Sequence, residues 1–284
     1  MVILLGLAAA LLYGSGDFLG GMAARRTHVL TVLMLAETAG VIAALAAAAI
    51  SPGPVHPAGL AWGVSAGLIG GLGLIIFYTG LATGPMSVVA PVSGLVSTVL
   101  PVGVALAEGE RPGVGVYAGA LLCLVAIVLA SSPGDTSEAR RPSRLGPGRA
   151  IGYGMASGAS FGLFFLLIRN AGQSGELWPV AAARIGELAV ILAAAAVAGR
   201  RLRPRHGDGW FLLTAASAGV IDVVANICYV AATRTGMFGL AVVLASLYPG
   251  VTVLLARVVL GERLRWVQRA GLGLAAIGIV LLAA

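Results

Sequence analysis

Apolar runs of about twenty residues recur along the whole chain, separated by short hinges rich in Pro, Gly, Ser and Arg. About 20 mostly apolar residues are enough to carry a helix across the hydrocarbon core of a bilayer. On that criterion the pattern predicts membrane helices near 2–24, 29–50, 59–82, 85–107, 113–131, 149–171, 178–198, 209–232, 237–260 and 266–283. The hinges carry turn chemistry: SPGPVHP (51–57), ERPG (110–113), SSPGDTSEARRPSRLGPGR (131–149) and GRRLRPRHGDG (199–209). The first run lacks a basic leader and is longer than the apolar core of a secretion signal, so a retained helix is expected there.

The pattern is doubled. The longest polar stretch divides the chain nearly in half, into units at 2–131 and 149–283 joined by a hinge at 132–148. The stretch from Gly84 aligns with the stretch from Gly236, so that Gly109-Glu110-Arg111 coincides with Gly261-Glu262-Arg263 and Gly119 with Gly271. Phe18 pairs with Phe161, and Tyr78 with Tyr229 after a one-residue insertion. Five helices per unit is an odd number, so the second unit enters the membrane inverted relative to the first. Inverted repeats are a hallmark of secondary transporters, whose substrate site lies between the halves near mid-membrane.

Composition agrees with this reading and removes others. Of the 284 residues, 59% are hydrophobic and 10% charged, where a soluble domain carries about 25% charged residues. The mean hydropathy is +1.00. The net charge of +7 invites a nucleic-acid reading, but it comes from arginines clustered in the hinges, and no lysine occurs. Cys123 and Cys228 fall inside apolar runs and read as reduced packing residues. His28, His56 and His206 lie in hinges, and no spacing suggests a metal site or a cofactor. The odd-numbered hinges hold most of the arginines (Arg25, Arg26, Arg140, Arg141, Arg144, Arg149, Arg200, Arg201, Arg203, Arg205, Arg263, Arg265 and Arg269), the even ones only Arg111, Arg169 and Arg234. The positive-inside rule then places both termini outside.

The segments APVSGLVSTVLPVGVALAEGERPG and LASLYPGVTVLLARVVLGERL resemble the two signature regions of EamA-type carriers of the drug/metabolite transporter superfamily. The resemblance extends over both halves. It implies an all-α integral membrane fold of ten helices in two inverted five-helix repeats, with helices 1–4 and 6–9 around a cavity and helices 5 and 10 peripheral. It also implies a carrier of a small molecule in the cell membrane, without enzyme activity or cofactor. Many relatives keep both termini inside, opposite to the arginine count.

Few polar residues interrupt the helices. Asp17, Glu37, Glu187 and Asp222 face a single deep cation, Arg184. An unpaired carboxylate at mid-bilayer costs about 3 kcal/mol, so each must face a wet cavity, find a partner or stay protonated. Arg184 and Glu187, three residues apart, share a helix face and form a structural ion pair; alternatively Arg184 meets Glu37 across the cavity. Asp222, Asn226 and Tyr229 recur at i, i+4 and i+7, a polar stripe that reads as cavity lining or as interhelical glue. Tyr229 is the only member of that stripe with a like repeat partner, Tyr78. Ser93, beside carbonyls freed by Pro91, adds further polar lining. Glycines along helices 1 and 3 (Gly14, Gly16, Gly20 and Gly21; Gly63, Gly67, Gly70 and Gly71) read as close-packing contacts. Glu110 and Glu262 each stand where a carboxylate stabilises the start of the following helix.

Three function classes fit these residues. The first is transport of an amine-bearing solute, with Asp17 or Asp222 exchanging a proton and the two tyrosines offering cation–π or hydrogen-bonding contacts. No nucleotide-binding loop is present to supply energy from ATP. The second is an intramembrane aspartyl protease, suggested by Gly14-Ser15-Gly16-Asp17. That motif sits in the first helix, however, no Pro-Ala-Leu element follows, and the repeat partner of Asp17 is Ser160. The third is a non-transporting membrane protein, for which the hinges offer no signalling domain.

Overall fold

The computed structural model describes residues 1–51, 53–84, 86–130, 146–171, 177–199, 209–259 and 266–283. Among them every regular element is an α-helix: α1 (Val2–Ala24), α2 (Val29–Ile50), α3 (Pro57–Thr83), α4 (Met86–Ala107), α5 (Val114–Ala130), α6 (Pro147–Ala171), α7 (Trp178–Val197), α8 (Gly209–Thr235), α9 (Phe238–Ala245), α10 (Tyr248–Val259) and α11 (Trp266–Ala283). The starts and stops follow local chemistry. His28 caps α2 by accepting from the Leu30 N–H at 3.3 Å, and prolines open α3 and α7 where a missing N–H costs nothing. Gly199, at φ +60°, closes α7.

One expected helix is two. The run at 237–260 breaks at Ser246–Leu247 because Pro249 has no N–H to return to the Ala245 carbonyl. The Ser246 hydroxyl instead donates to the Val242 carbonyl at 2.7 Å. Helix α4 runs uninterrupted through both Pro91 and Pro101.

Among the described residues seven helices are long and apolar enough to cross a bilayer: α1, α2, α3, α4, α6, α7 and α8. The described parts of α5 and of α9–α10 are shorter apolar helices, so the expected count of ten spans is not reached on that measure. Large apolar side chains such as Leu4, Ile42, Leu121 and Leu213 stand more than half exposed around the outside. Lipid is the solvent that tolerates such a surface. The protein is an all-helical integral membrane protein.

Helices of the first half pack mainly on helices of the second, in reciprocal pairs. Helix α3 lies on α7 and α2 on α8; α4 lies on α6 and α1 on α9 and α10; α1 lies on α8 and α3 on α6. Helices α5 and α11 pair with each other at the periphery. These contacts require backbones to touch. A Cβ on Gly67 would collide with the Ala183 backbone of α7, and one on Gly219 with the Ala36 carbonyl of α2. Small residues at such crossings replace the missing hydrophobic drive between helices with close van der Waals contact.

The Glu110 carboxylate serves a different helix from the one its place in sequence suggests. It turns away from α5 and accepts from the N–H groups of Phe238 at 2.7 Å and Gly239 at 3.0 Å, capping α9 in the other half. Gly109, at φ +93°, makes that reversal possible. Nearby, Arg169 at the end of α6 pairs with Glu108 at 2.8 Å and stacks over the Phe238 ring at 4.0 Å. Glu262, the repeat partner of Glu110, lies outside the described residues, as do most of the hinge arginines behind the orientation argument.

Candidate functional site

Helix α1 presents Tyr13 and Asp17 one turn apart, and α8 presents Asp222 and Asn226 with the same spacing. The two faces meet where α1 crosses α8. The Tyr13 hydroxyl donates to Asn226 Oδ1 at 2.8 Å. Asn226 Nδ2 in turn donates to the Asp222 carbonyl at 2.9 Å and to Asp222 Oδ2 at 3.2 Å. Asn226 is thereby fixed in one orientation by a donor on one side and acceptors on the other.

Behind Asp222 stands the buried cation. Arg184, 1% exposed, reaches from α7 to Glu37 on α2 at 3.0 Å, to Glu187 on its own helix at 2.8 Å, and to Asp222 on α8. One side chain thus lies within ion-pair distance of both Glu187 and Glu37, with Asp222 as a third partner. Removing a guanidinium from water is tolerable only when its donors are satisfied. Here it donates to Glu37 and Asp222, and the Glu187 carboxylate adds its charge beside them.

These groups border a cavity of about 440 Å³, counting the open space at its mouth. Asp17, Glu187, Asp222 and Asn226 form its polar wall. Tyr13, Phe161, Phe164, Phe165 and Tyr248 form an aromatic wall, completed by Leu74 and Gly70. The rings pack edge to face, Tyr13 with Phe165 at 5.9 Å and with Tyr248 at 6.3 Å between centroids.

Asp17 is half-buried and has no hydrogen-bond or ion-pair partner among the described residues. Asp222, by contrast, is committed to Arg184 and Asn226. The other positions singled out in the sequence lie outside the cavity wall. Glu37 sits behind it, 3% exposed. Ser93 is fully buried and accepts from the Ser157 hydroxyl at 3.1 Å. Tyr229 is fully buried and donates to the Phe165 carbonyl at 3.3 Å, and the Tyr78 hydroxyl packs on Gly20.

The aromatic wall is what the sequence reading missed. Tyr13 carried a usable signal, four residues before Asp17 on the same face. Tyr248 carried a weaker one, at the Leu-Tyr-Pro-Gly break. The three phenylalanines of α6 look like any apolar helix residues, and only the fold turns them inward.

Among the described residues the cavity wall and the cluster behind it hold four carboxyl groups against one guanidinium, which lies within ion-pair distance of three of them. Among the described residues no group of three His, Cys, Asp or Glu side chains is arranged to hold a metal ion.

Twelve chains of solved structures match this fold. One of them, a crystal structure 19% identical in sequence, superposes with a TM-score of 0.73 over 99% of this chain and 95% of that one. At that identity the likeness concerns the fold alone. No curated protein sequence matches the chain. The model of the EamA-like transporter family matches residues 148–284, the second of the two halves. That family is part of the drug/metabolite transporter superfamily, whose members are transporters and not enzymes.

Proposed function

We propose, on the premise that residues 148–284 carry the EamA-like transporter family fold, that the chain exports a small amine-bearing solute by alternating access, in exchange for protons, across the cell membrane. The observation that carries the solute class is the Asp17 carboxylate, unpartnered among the described residues, in a cavity whose nearby described cation, Arg184, is engaged by other carboxylates. A phosphorylated or carboxylate solute finds no free positive partner there, and an ammonium group finds Asp17. The aromatic wall adds cation–π and apolar contact for the rest of the molecule. Asp222, an equal candidate in the sequence, is occupied by Arg184. Asp17 is therefore the group that exchanges a proton for the solute.

The architecture we infer is two inverted five-helix units, 2–131 and 149–283, counting α9 and α10 as one interrupted span. The reciprocal packing of the halves supports it, because each first-half contact has its counterpart with the roles reversed. A broken helix beside the cavity is the form transporter binding sites take, since its freed backbone groups sit inside protein and not in lipid.

The test is a binding screen on the purified full-length protein in detergent. Ethanolamine, putrescine and tetramethylammonium are compared with a sugar phosphate and a dicarboxylate by thermal shift, on wild type and Asp17→Asn. A ligand stabilises by mass action in proportion to occupancy. At least one cation is expected to raise the melting temperature of wild type and to lose most of that effect in Asp17→Asn. Stabilisation by the anions alone overturns the assignment.

A further inference from the structure

A single nitrogen of Arg184 holds two carboxylates. Nη1 lies 3.0 Å from Glu37 Oε2 and 2.8 Å from Glu187 Oε2, while Nη2 is taken by Asp222. Glu37 and Glu187 are each 3% exposed. If all three acids were ionised, one positive charge would face three negative ones in a largely buried cluster. Two buried carboxylates gathered on one nitrogen of one cation repel each other, and a proton held by one of them relieves that repulsion. With one proton between them, Glu37 and Glu187 count as a single negative charge, and the cluster's excess falls from two to one. The hydrogen bonding also distinguishes the pair. Glu37 accepts an in-line bond from Arg184, whereas Glu187 Oε2 lies close to the same nitrogen with no N–H or O–H aimed at it. Glu187 borders the cavity, and Glu37 does not.

We propose that Glu37 and Glu187 share one proton and that Glu187 is the member that exchanges it with the cavity, which makes the pair a second proton site beside Asp17. The groups around Glu187 fit that role. Arg184 faces it from α7, Glu37 from α2, Asp222 from α8, and Asp17 with Tyr13 from α1. Helix α3 offers Gly70 and helix α6 offers Phe164, neither of which titrates. When the pair loses its proton, the added negative charge holds Arg184 more tightly between α2, α7 and α8. When it is protonated, Arg184 is freer to favour Asp222. A proton at this pair therefore biases the contacts between the two halves of the chain. Its use in transport rests on the function proposed above; its presence is a property of the folded chain alone.

Infrared difference spectroscopy on the full-length protein in lipid, at neutral pH with exchange into D2O, reads the proton directly. Wild type is expected to show the carbonyl stretch of a protonated carboxylic acid. A component of it should be missing from both Glu187→Gln and Glu37→Gln and kept in Asp17→Asn. Glutamine reproduces a neutral glutamate, so each single variant is expected to fold and melt close to wild type, and Glu37→Gln serves if Glu187→Gln yields too little protein. A carboxylic-acid signal unchanged in both variants overturns the proposal, as does failure of both to fold. Neither result depends on whether any amine binds, so the failure of this proposal and the failure of the transport reading are told apart.

Discussion

Arg184 is the residue on which the interior depends. Its guanidinium ties α2, α7 and α8 together deep in an apolar body. Breaking a buried ion network by deleting one partner leaves charges with no compensation and costs about 3–5 kcal/mol. Arg184→Met is therefore expected to lower the melting temperature sharply, while Arg184→Lys, which keeps the charge but cannot reach three acids at once, falls between. A melting temperature for Arg184→Met equal to wild type contradicts the network. At this scale the sequence was partly legible. The i, i+3 spacing of Arg184 and Glu187 needs only helical geometry. The contacts to Glu37, 147 positions away, and to Asp222, 38 positions away, come from helix crossings that no local pattern encodes. The same holds for Asp17: its burial cost was readable from its apolar neighbours, but its lack of a partner was not.

Helices follow the hydrophobic pattern closely, since a backbone in lipid has few alternatives to a helix. Their boundaries matched the apolar runs because prolines, glycines and arginines mark the hinges. Two features escaped the pattern. Pro249 divides its run while Pro91 and Pro101 do not divide theirs, and Pro249 packs against Gly94 of α4. Glu110 caps α9 across the halves, although local logic assigns it to α5. Both of its oxygens accept backbone N–H groups at the start of α9, where the helix dipole adds to the attraction. Replacing a helix cap with alanine costs about 0.5–2 kcal/mol. Glu110→Ala is expected to lose stability in that range in a melting experiment, with Glu110→Gln losing less. If Glu110→Ala melts with wild type, the cap contributes nothing to holding the halves together.

At the scale of the whole molecule, the duplicated GER segments pointed to two units, and the helices before the central hinge pack mainly on those after it. The cavity did not follow in the same way. Its aromatic wall comes from α1, α6 and the α9–α10 break, which the sequence presents as unrelated apolar stretches. What the assembled site offers is a free carboxylate, an engaged cation and an aromatic surface between two halves of a membrane protein. Movement of a cation through that site is the central claim. It is tested by reconstituting the full chain into liposomes with an acidic lumen and following uptake of labelled ethanolamine, putrescine and tetramethylammonium. Uptake of at least one is predicted to run faster than in protein-free vesicles, to slow when the pH gradient is collapsed, and to fall to the protein-free rate in Asp17→Asn. Uptake of all three at the protein-free rate, with the gradient imposed and the protein folded, would contradict it.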